Sequence, residues 1–233
     1  MKDQYVGDVN DYLKYALLRG LTLADGNTMV VWMRTAGDGR GDGGRIGYLS
    51  QERFRAVDPP LFDDLARLVA DDRRSLMAVR KAGVLPRASY WEDELSDNDR
   101  ARREYFRSAF EAATEFDFIF FDPDNGLEIA SVARGRKGSC KYLYRDELAT
   151  AFGSGSSVVF YQHFPRRARM PYLRQMADVL LTEIQCPVVL VLMSSHVAYV
   201  VLPHAEVRSR VESAIRDVTS RAMAIGAAFA EFA

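Results

Sequence analysis

The run of residues 116–121, Phe-Asp-Phe-Ile-Phe-Phe, constrains the fold of this chain more than any other segment, because it ends abruptly in Asp122-Pro-Asp-Asn-Gly126. This pattern is typical of a strand that is buried on both faces and opens into a loop at its carboxyl end. In open α/β sheets, ligands bind outside the carboxyl ends of the strands. The carboxylates of Asp122 and Asp124 and the carboxamide of Asn125 are therefore the first candidates for chemistry.

The order of the other predicted elements indicates the fold class. Apolar segments typical of strands lie at 28–33, 88–91, 116–121 and 156–162. Helical patterns surround and separate them at 8–24, 61–83, 97–114, 144–152 and 170–183. A hairpin (188–193 and 198–202) and a helix over 204–222 close the chain. This alternation predicts a single α/β domain over 1–233, with a largely parallel sheet and an antiparallel C-terminal hairpin.

Composition narrows the possible locations and partners. The net charge of -1 provides no overall attraction to nucleic acid or membrane. The thiols of Cys140 and Cys186 lie in no metal-binding spacing and are expected to be reduced. The first residues lack the apolar core of a signal peptide, and no apolar run approaches the ~20 residues of a membrane-spanning helix. We therefore expect a cytoplasmic protein with no membrane partner.

The loop that begins at Asp122 allows three interpretations. A carboxylate and a carbonyl at a strand end can accept both hydrogens of an amine and orient its lone pair for attack on a methyl group. Alternatively, Asp122, Asp124 and Glu128 could bind Mg²⁺ or Mn²⁺, as in a nuclease or phosphotransferase. The third interpretation is a plain Pro-Asp-Asn-Gly turn without chemistry.

A glycine-rich segment, residues 35–44, follows the first predicted strand. Glycines after a strand let backbone N–H groups approach a nucleotide or S-adenosylmethionine closely. A flexible surface loop without a ligand explains the composition equally well. The segment lacks the G-x-x-x-x-G-K-[ST] pattern, which disfavours a P-loop.

Further candidates follow later strands. His163 ends the strand at 156–162 and is expected on the same rim as Asp122, as a base, a hydrogen-bonding group or part of a substrate wall; a structural histidine is the alternative. Two basic loops, 134–137 and 166–169, could bind the phosphates of RNA or DNA, or could be ordinary solvated charge. Their candidate phosphate ligands are Arg134, Arg136, Lys137 and Arg166.

At these residues the chain resembles the DPPY-type adenine N6-methyltransferases of large-subunit ribosomal RNA. Residues 7–15 are similar to that family's Gly-Asn-x-x-Asp-x-x-Lys-His helix, and residues 35–40 are similar to its Thr-His-Ala-Gly-x-Gly-Arg cofactor loop. Residues 122–125 stand where its Asp-Pro-Pro-Tyr motif lies. The resemblance implies a Rossmann-like fold and methyl transfer from S-adenosylmethionine. The N-terminal helix would then pack over the rim of the site.

The resemblance also implies roles for single residues. Asp122 would hold the target amine, with Asn125 and His163 shaping its pocket and Asp124 nearby. The cofactor would lie near Lys14, Gly37, Asp38, Gly39 and Arg40.

Three positions depart from the family pattern. Asp124-Asn125 replaces Pro-Tyr, so Phe164 or Tyr161 would have to supply the aromatic ring that stacks on a base. Arg34 stands where an acidic residue precedes the cofactor loop, and Glu92 and Asp93 are the candidates for binding the cofactor ribose. The alternatives are a divalent-metal nuclease or phosphotransferase, and a non-catalytic nucleic-acid-binding module whose cofactor site has decayed.

Overall fold

The computed structural model describes residues 2–23, 26–35 and 43–233, and its centre is a seven-stranded sheet. The helices are α1 (Val9–Leu23), α2 (Glu52–Arg55), α3 (Pro59–Ala70), α4 (Leu76–Lys81), α5 (Asp99–Ala112), α6 (Arg145–Gly153), α7 (Arg169–Glu183) and α8 (Arg208–Ala222). The strands are β1 (Thr28–Val31), β2 (Ala88–Trp91), β3 (Phe118–Phe121), β4 (Gly126–Leu127), β5 (Tyr142–Leu143), β6 (Ser157–His163), β7 (Val189–Met193), β8 (Val197–Leu202) and β9 (Ala228–Phe232).

The strand order in the main sheet is β2-β1-β3-β6-β8-β7-β9. Strand β1 pairs in parallel with β2 and β3, and β3 pairs in parallel with β6. Strand β8 is antiparallel to β6 and β7, and β9 is antiparallel to β7. Only β8 and β9 therefore oppose the direction of the other strands in this described sheet. The predicted α/β fold, with a largely parallel sheet and an antiparallel C-terminal hairpin, is confirmed.

The connections create a topological switch point between β1 and β3. The chain leaves β1 for β2 on one side, then crosses to β3 on the other side of β1. Ligands of open α/β sheets bind at such a point, outside the carboxyl ends of the strands. Asp122 directly follows β3 and is therefore positioned there by the fold.

Both faces of the sheet are covered, which explains the unbroken apolar character of β3. Phe118 and Phe120 pack with residues of α1, α3 and α8 in one core. Ile119 and Phe121 pack with residues of α5, α6 and α7 in the other. In the part of the chain that is described, no helix is long and apolar enough to cross a membrane.

Two local predictions were wrong. The single helix expected over 61–83 is divided into α3 and α4 by a turn in which Asp72 has a φ of 51°. The turn directs Arg74 back to the N-terminal segment, where its guanidinium donates hydrogen bonds to the carbonyls of Gln4, Val6 and Gly43. The edge strand β9 was not predicted, because its pairing partner β7 lies far away along the chain.

Candidate functional site

A cavity of about 510 Å³ lies at the carboxyl ends of β3 and β6, beside the start of α1. Its described lining comes from the N-terminal segment and α1, from residues 43–45, from the loop after β3, and from the end of β6. These residues are Tyr5, Asp8, Asn10, Asp11, Lys14, Gly43, Gly44, Arg45, Asp122, Pro123, Asp124, Tyr161 and His163. The sequence-based prediction that Asp122 and His163 share one rim is confirmed.

Three buried charged residues form the centre of the site. The Nζ of Lys14 lies 2.8 Å from Oδ1 of Asp11 and 2.6 Å from Oδ2 of Asp122. Asp11 and Lys14 are three residues apart on α1, a spacing that places both side chains on one face of the helix. Lys14 was expected beside a cofactor, and the fold brings it into direct contact with the candidate catalytic carboxylate.

The surroundings determine the charge of each member of this group. Burial lowers the pKa of Lys14, but the carboxylates of Asp11 and Asp122 outweigh it, so the pKa is raised above its ordinary value. Lys14 therefore rests as an ammonium ion near neutral pH and not as a neutral amine. Burial raises the pKa of Asp11 to about 6, against the opposing effect of Lys14. Asp11 is thus poised to exchange a proton near neutral pH.

Aromatic rings surround the ammonium group. The Nζ of Lys14 lies 5.6 to 5.9 Å from the ring centroids of Tyr15, Trp32 and Tyr161. Burial raises the pKa of Tyr161 and of Tyr15, so both phenols stay protonated at neutral pH. These rings hold the ammonium group by cation–π attraction and limit its contact with water.

Asp8 fixes the start of α1 to the polypeptide that follows the glycine-rich segment. Its carboxylate accepts hydrogen bonds from the N–H groups of Asn10 and Arg45, at 3.0 and 3.1 Å. Asp8 therefore acts as the N-cap of α1. Arg45, which sequence reasoning missed, lies with its side chain 3.8 Å from the same carboxylate. The predicted cofactor residues Gly37, Asp38, Gly39 and Arg40 lie outside the described residues.

The loop after β3 is held by backbone contacts and by Gln162. The Nε2 of Gln162 donates to the carbonyl of Asn125 at 3.3 Å, and its Oε1 accepts from the N–H of Leu127 at 2.9 Å. Gly126 has a φ of 108°, and a Cβ there would overlap the side-chain amide of Gln162. In the described site, Asn125 does not line the cavity, so its predicted role in shaping the pocket is corrected: its backbone fixes the loop. Asp124 lines the cavity and accepts a hydrogen bond from the Thr35 hydroxyl at 3.2 Å.

Phe164 does not lie where it could supply the aromatic ring that stacks on a base, the role predicted for it or for Tyr161. The residue is buried in the core beneath the sheet, where its ring lies 6.3 Å from that of Tyr172. Because inward- and outward-facing residues alternate along a strand, Tyr161 and His163 face the cavity instead. Tyr161 is therefore the better-placed aromatic residue.

The two basic loops differ in their relation to the cavity. In the loop 134–137, Arg134 forms ion pairs with Asp146 and Glu147 and lies over the Tyr144 ring at 4.7 Å. Neither Arg134 nor its exposed neighbours Arg136 and Lys137 are among the described residues that line the cavity.

The loop 166–169 comes shortly after the cavity residue His163, and Arg166, Arg167 and Arg169 are all exposed, although none of them is in the described cavity lining. Burial lowers the pKa of His196, and the electrostatic effect of the neighbouring Arg45, Arg169 and His163 lowers it further, whereas Asp8 opposes them. A set of basic groups therefore lies close together at this rim.

Glu128, one of the three ligands in the metal-binding alternative, is already paired with Arg145. The Oε1 of Glu128 accepts hydrogen bonds from the N–H and Nε of Arg145, at 2.8 and 3.1 Å. Over residues 2–23, 26–35 and 43–233, no group of three or more His, Cys, Asp or Glu side chains could hold a metal ion. Among the described residues, nothing therefore supports the alternative in which Asp122, Asp124 and Glu128 bind a metal ion together.

Glu92 occupies the carboxyl end of β2. Its Oε2 lies 3.3 Å from Arg80, while its Oε1 is buried without a hydrogen-bond partner among the described residues. Arg34 donates a hydrogen bond to the Glu92 carbonyl at 3.2 Å. Asp93, the other candidate for the cofactor ribose, is exposed. A buried acceptor without a donor is costly, so Glu92 is the better candidate for binding a hydroxyl group.

No protein-family model matches the sequence of this chain. No curated protein matches it either. Among solved structures, the chain is similar to protein LPL1258 from Legionella pneumophila str. Philadelphia 1, which is assigned to the family-model DUF519. The two share 12% sequence identity over 97% of each chain, with a TM-score of 0.47.

Proposed function

We propose that this protein is an S-adenosylmethionine-dependent methyltransferase that acts on an amino group of a nucleic acid. The observation that carries the proposal is the position of Asp122. Its buried carboxylate lies at the end of β3, beside the topological switch point, and lines the cavity at the ends of β3 and β6, where an ammonium group holds it. A carboxylate held in this way can accept hydrogen bonds from an amine and orient its lone pair.

The described residues fit this cofactor. Asp8, Asp11, Asp122 and Asp124 outnumber the basic residues Lys14 and Arg45 along the cavity. The excess of carboxylates favours a positively charged ligand such as a sulfonium ion. The Oε1 of Glu92, at the end of β2 and without a described donor, suits a ribose hydroxyl.

S-adenosylmethionine, when bound, supplies an electrophilic methyl group to the acceptor nitrogen. The protein then has to position the acceptor and remove a proton from it. Lys14 holds Asp122 in one orientation, and the buried site excludes bulk water from both groups. Positioning of this kind accounts for a large share of the rate enhancement when the methyl donor is already activated.

The nucleic-acid part of the proposal depends on the loop 166–169 and on the aromatic lining. Arg166, Arg167 and Arg169 can contact phosphates next to the cavity, and phosphate contacts set the position of a nucleic acid on a protein. Tyr161 and Tyr5 line the cavity and can stack on a base that has left its helix.

Two measurements test this function. We expect calorimetry to show micromolar binding of S-adenosylmethionine and S-adenosylhomocysteine without added metal. We expect labelled methyl groups to pass to RNA or DNA with the wild-type protein and not with Asp122→Asn, while Asp178→Asn, an exposed change on α7, stays active. Polynucleotide binding without cofactor binding would instead identify a non-catalytic binding module, and activity dependent on Mg²⁺ would revive the metal alternative.

A further inference from the structure

The contacts of Lys14 connect two buried carboxylates through a single nitrogen. Asp122 and Asp11 both accept hydrogen bonds from Nζ, at 2.6 and 2.8 Å, and each of the three residues is at most 3% exposed. Positioning Asp122 requires only one of these contacts. The second contact joins Lys14 to Asp11, and the positioning of Asp122 does not explain the role of this second carboxylate.

Methylation of an amine releases a proton, which a nearby group has to accept. The acceptor nitrogen forms a bond to carbon and gains a positive charge, so it must release one proton to become a neutral product. Asp122 is the carboxylate that is expected to contact this nitrogen. We propose that Asp11 receives this proton from Asp122 by way of Lys14, an inference that rests on the proposed methyltransferase function.

The proton passes in two balanced transfers. An N–H bond of the methylated nitrogen breaks, its electron pair stays on nitrogen, and the proton bonds to an oxygen of Asp122. The ammonium of Lys14 then gives one proton to Oδ1 of Asp11 and takes the proton from Asp122. Lys14 ends as an ammonium ion, Asp122 ends as a carboxylate, and Asp11 ends as a neutral acid.

The groups that face Asp11 favour this end point. On its own helix, Lys14 donates to it and the Tyr15 hydroxyl lies 3.4 Å from its Oδ2. The negative charges of Asp122 and Asp8 raise the pKa of Asp11 in addition to burial, which brings it to about 6. The facing phenols on other elements are Tyr48, Tyr161 and Tyr199, whose pKa values burial also raises. They stay neutral, so none of these groups competes with Asp11 for the proton.

Asp11 acts through Lys14 and is therefore a positioning residue, so its test needs readouts beyond activity. The first is carbon-13 NMR of the aspartate carboxyl groups in the protein without ligands, with Asp11 identified by the signal missing from Asp11→Asn. We expect Asp11 to titrate near pH 6. We expect Asp122→Asn to lower that pKa, because it removes a nearby negative charge. An Asp11 that titrates in the ordinary aspartate range, unaffected by Asp122→Asn, would overturn the inference.

The second readout is the rate constant of a single methyl transfer as a function of pH. Because Asp11 must be ionised to accept the proton, the wild-type rate is expected to rise with pH through about 6. At saturating S-adenosylmethionine, Asp11→Asn should lose this rise and be about 100-fold slower, with Asp178→Asn kinetics unchanged. An active wild type with no rise near this pH would sink the inference even if Asp11→Asn did not fold. A wild type that bound no cofactor would instead refute the proposed function.

Discussion

Lys14 and Asp122 are 108 residues apart in the sequence, yet the lysine Nζ lies 2.6 Å from the aspartate Oδ2. The ion pair joins the first helix to the loop after the central strand β3. The pair is almost completely inaccessible to solvent. The carboxylate of Asp11 contacts the same ammonium group. The stability of the fold, the charge of the site and the proposed chemistry therefore all depend on the contact between Lys14 and Asp122, and removal of this contact should change quantities that can be measured.

Replacement of Lys14 by Met should destabilise the protein by about 3–5 kcal/mol near neutral pH, because it removes the buried ammonium group that the carboxylates of Asp11 and Asp122 both contact. The loss should be smaller at acidic pH, where Asp11 is protonated. Urea denaturation at both pH values measures the effect. Arg103→Met, which removes an exposed pair with Asp99 on α5, is the matched control and should cost no more than about 1 kcal/mol.

The stability of the protein should depend on pH through Asp11. Its pKa is about 6 in the folded protein, against an ordinary value of 3.8, so the folded state binds more protons between these values. This contribution is complete below the lower pKa and is lost as pH rises through the higher one, by about 3 kcal/mol in total. Denaturation curves of wild type and Asp11→Asn near pH 4 and near pH 8 test this sign. A difference between the two proteins that did not vary with pH would contradict it.

Gly126→Ala should disturb the loop that carries Asp122. The backbone there has a φ of 108°, and the new Cβ would collide with the Gln162 amide. We expect a loss of about 1–3 kcal/mol, together with weaker ligand binding, since Gln162 also holds Asn125. Gly153→Ala is the control, because no described atom lies within 4 Å of the position that its Cβ would take and its φ is ordinary. It should leave stability unchanged or raise it slightly.

Glu92 and its neighbour Asp93 form a natural pair of test positions. Glu92→Gln should weaken S-adenosylmethionine binding by about tenfold, because a charged acceptor for a ribose hydroxyl is lost. Asp93→Asn changes an exposed carboxylate one residue away and should not affect the calorimetric Kd. Equal affinities for both variants and the wild type would exclude Glu92 from the cofactor site.

Charge reversal can separate the two basic loops. Replacement of Arg166, Arg167 and Arg169 by Glu should weaken binding to labelled RNA or DNA and lower the salt dependence by about one unit per lost phosphate contact. Replacement of Arg136 and Lys137 by Glu should have little effect, because their loop follows β4, whereas the loop 166–169 comes shortly after the cavity residue His163. Fluorescence anisotropy over a range of salt concentrations measures both. Equal losses from the two loops would show that both contact nucleic acid.

Short-range patterns were sufficient to predict most of the fold. The alternation of apolar strands with amphipathic helices predicted the α/β class, and strand β2 was placed at its observed bounds. The abrupt end of β3 identified Asp122, and the parallel pairing of β3 with β6 explains why His163 shares its cavity. These features depend on neighbouring residues and on general rules for strand ends, both of which can be read along the chain.

Contacts between distant segments decided the rest. The spacing of Asp11 and Lys14 on α1 can be read along the chain, but nothing near Lys14 in the sequence indicates that its charge is also shared with Asp122. The sequence also did not predict the ion pair of Arg134 with Asp146 or the burial of Phe164. Both features remove predicted contacts with the substrate. A residue type states which interactions are possible, but burial and distance select among them, because they change the energy of a charge by several kcal/mol. The sequence thus determined which groups are available at the switch point, and the tertiary structure decided which of them meet, how they are charged and what they can do.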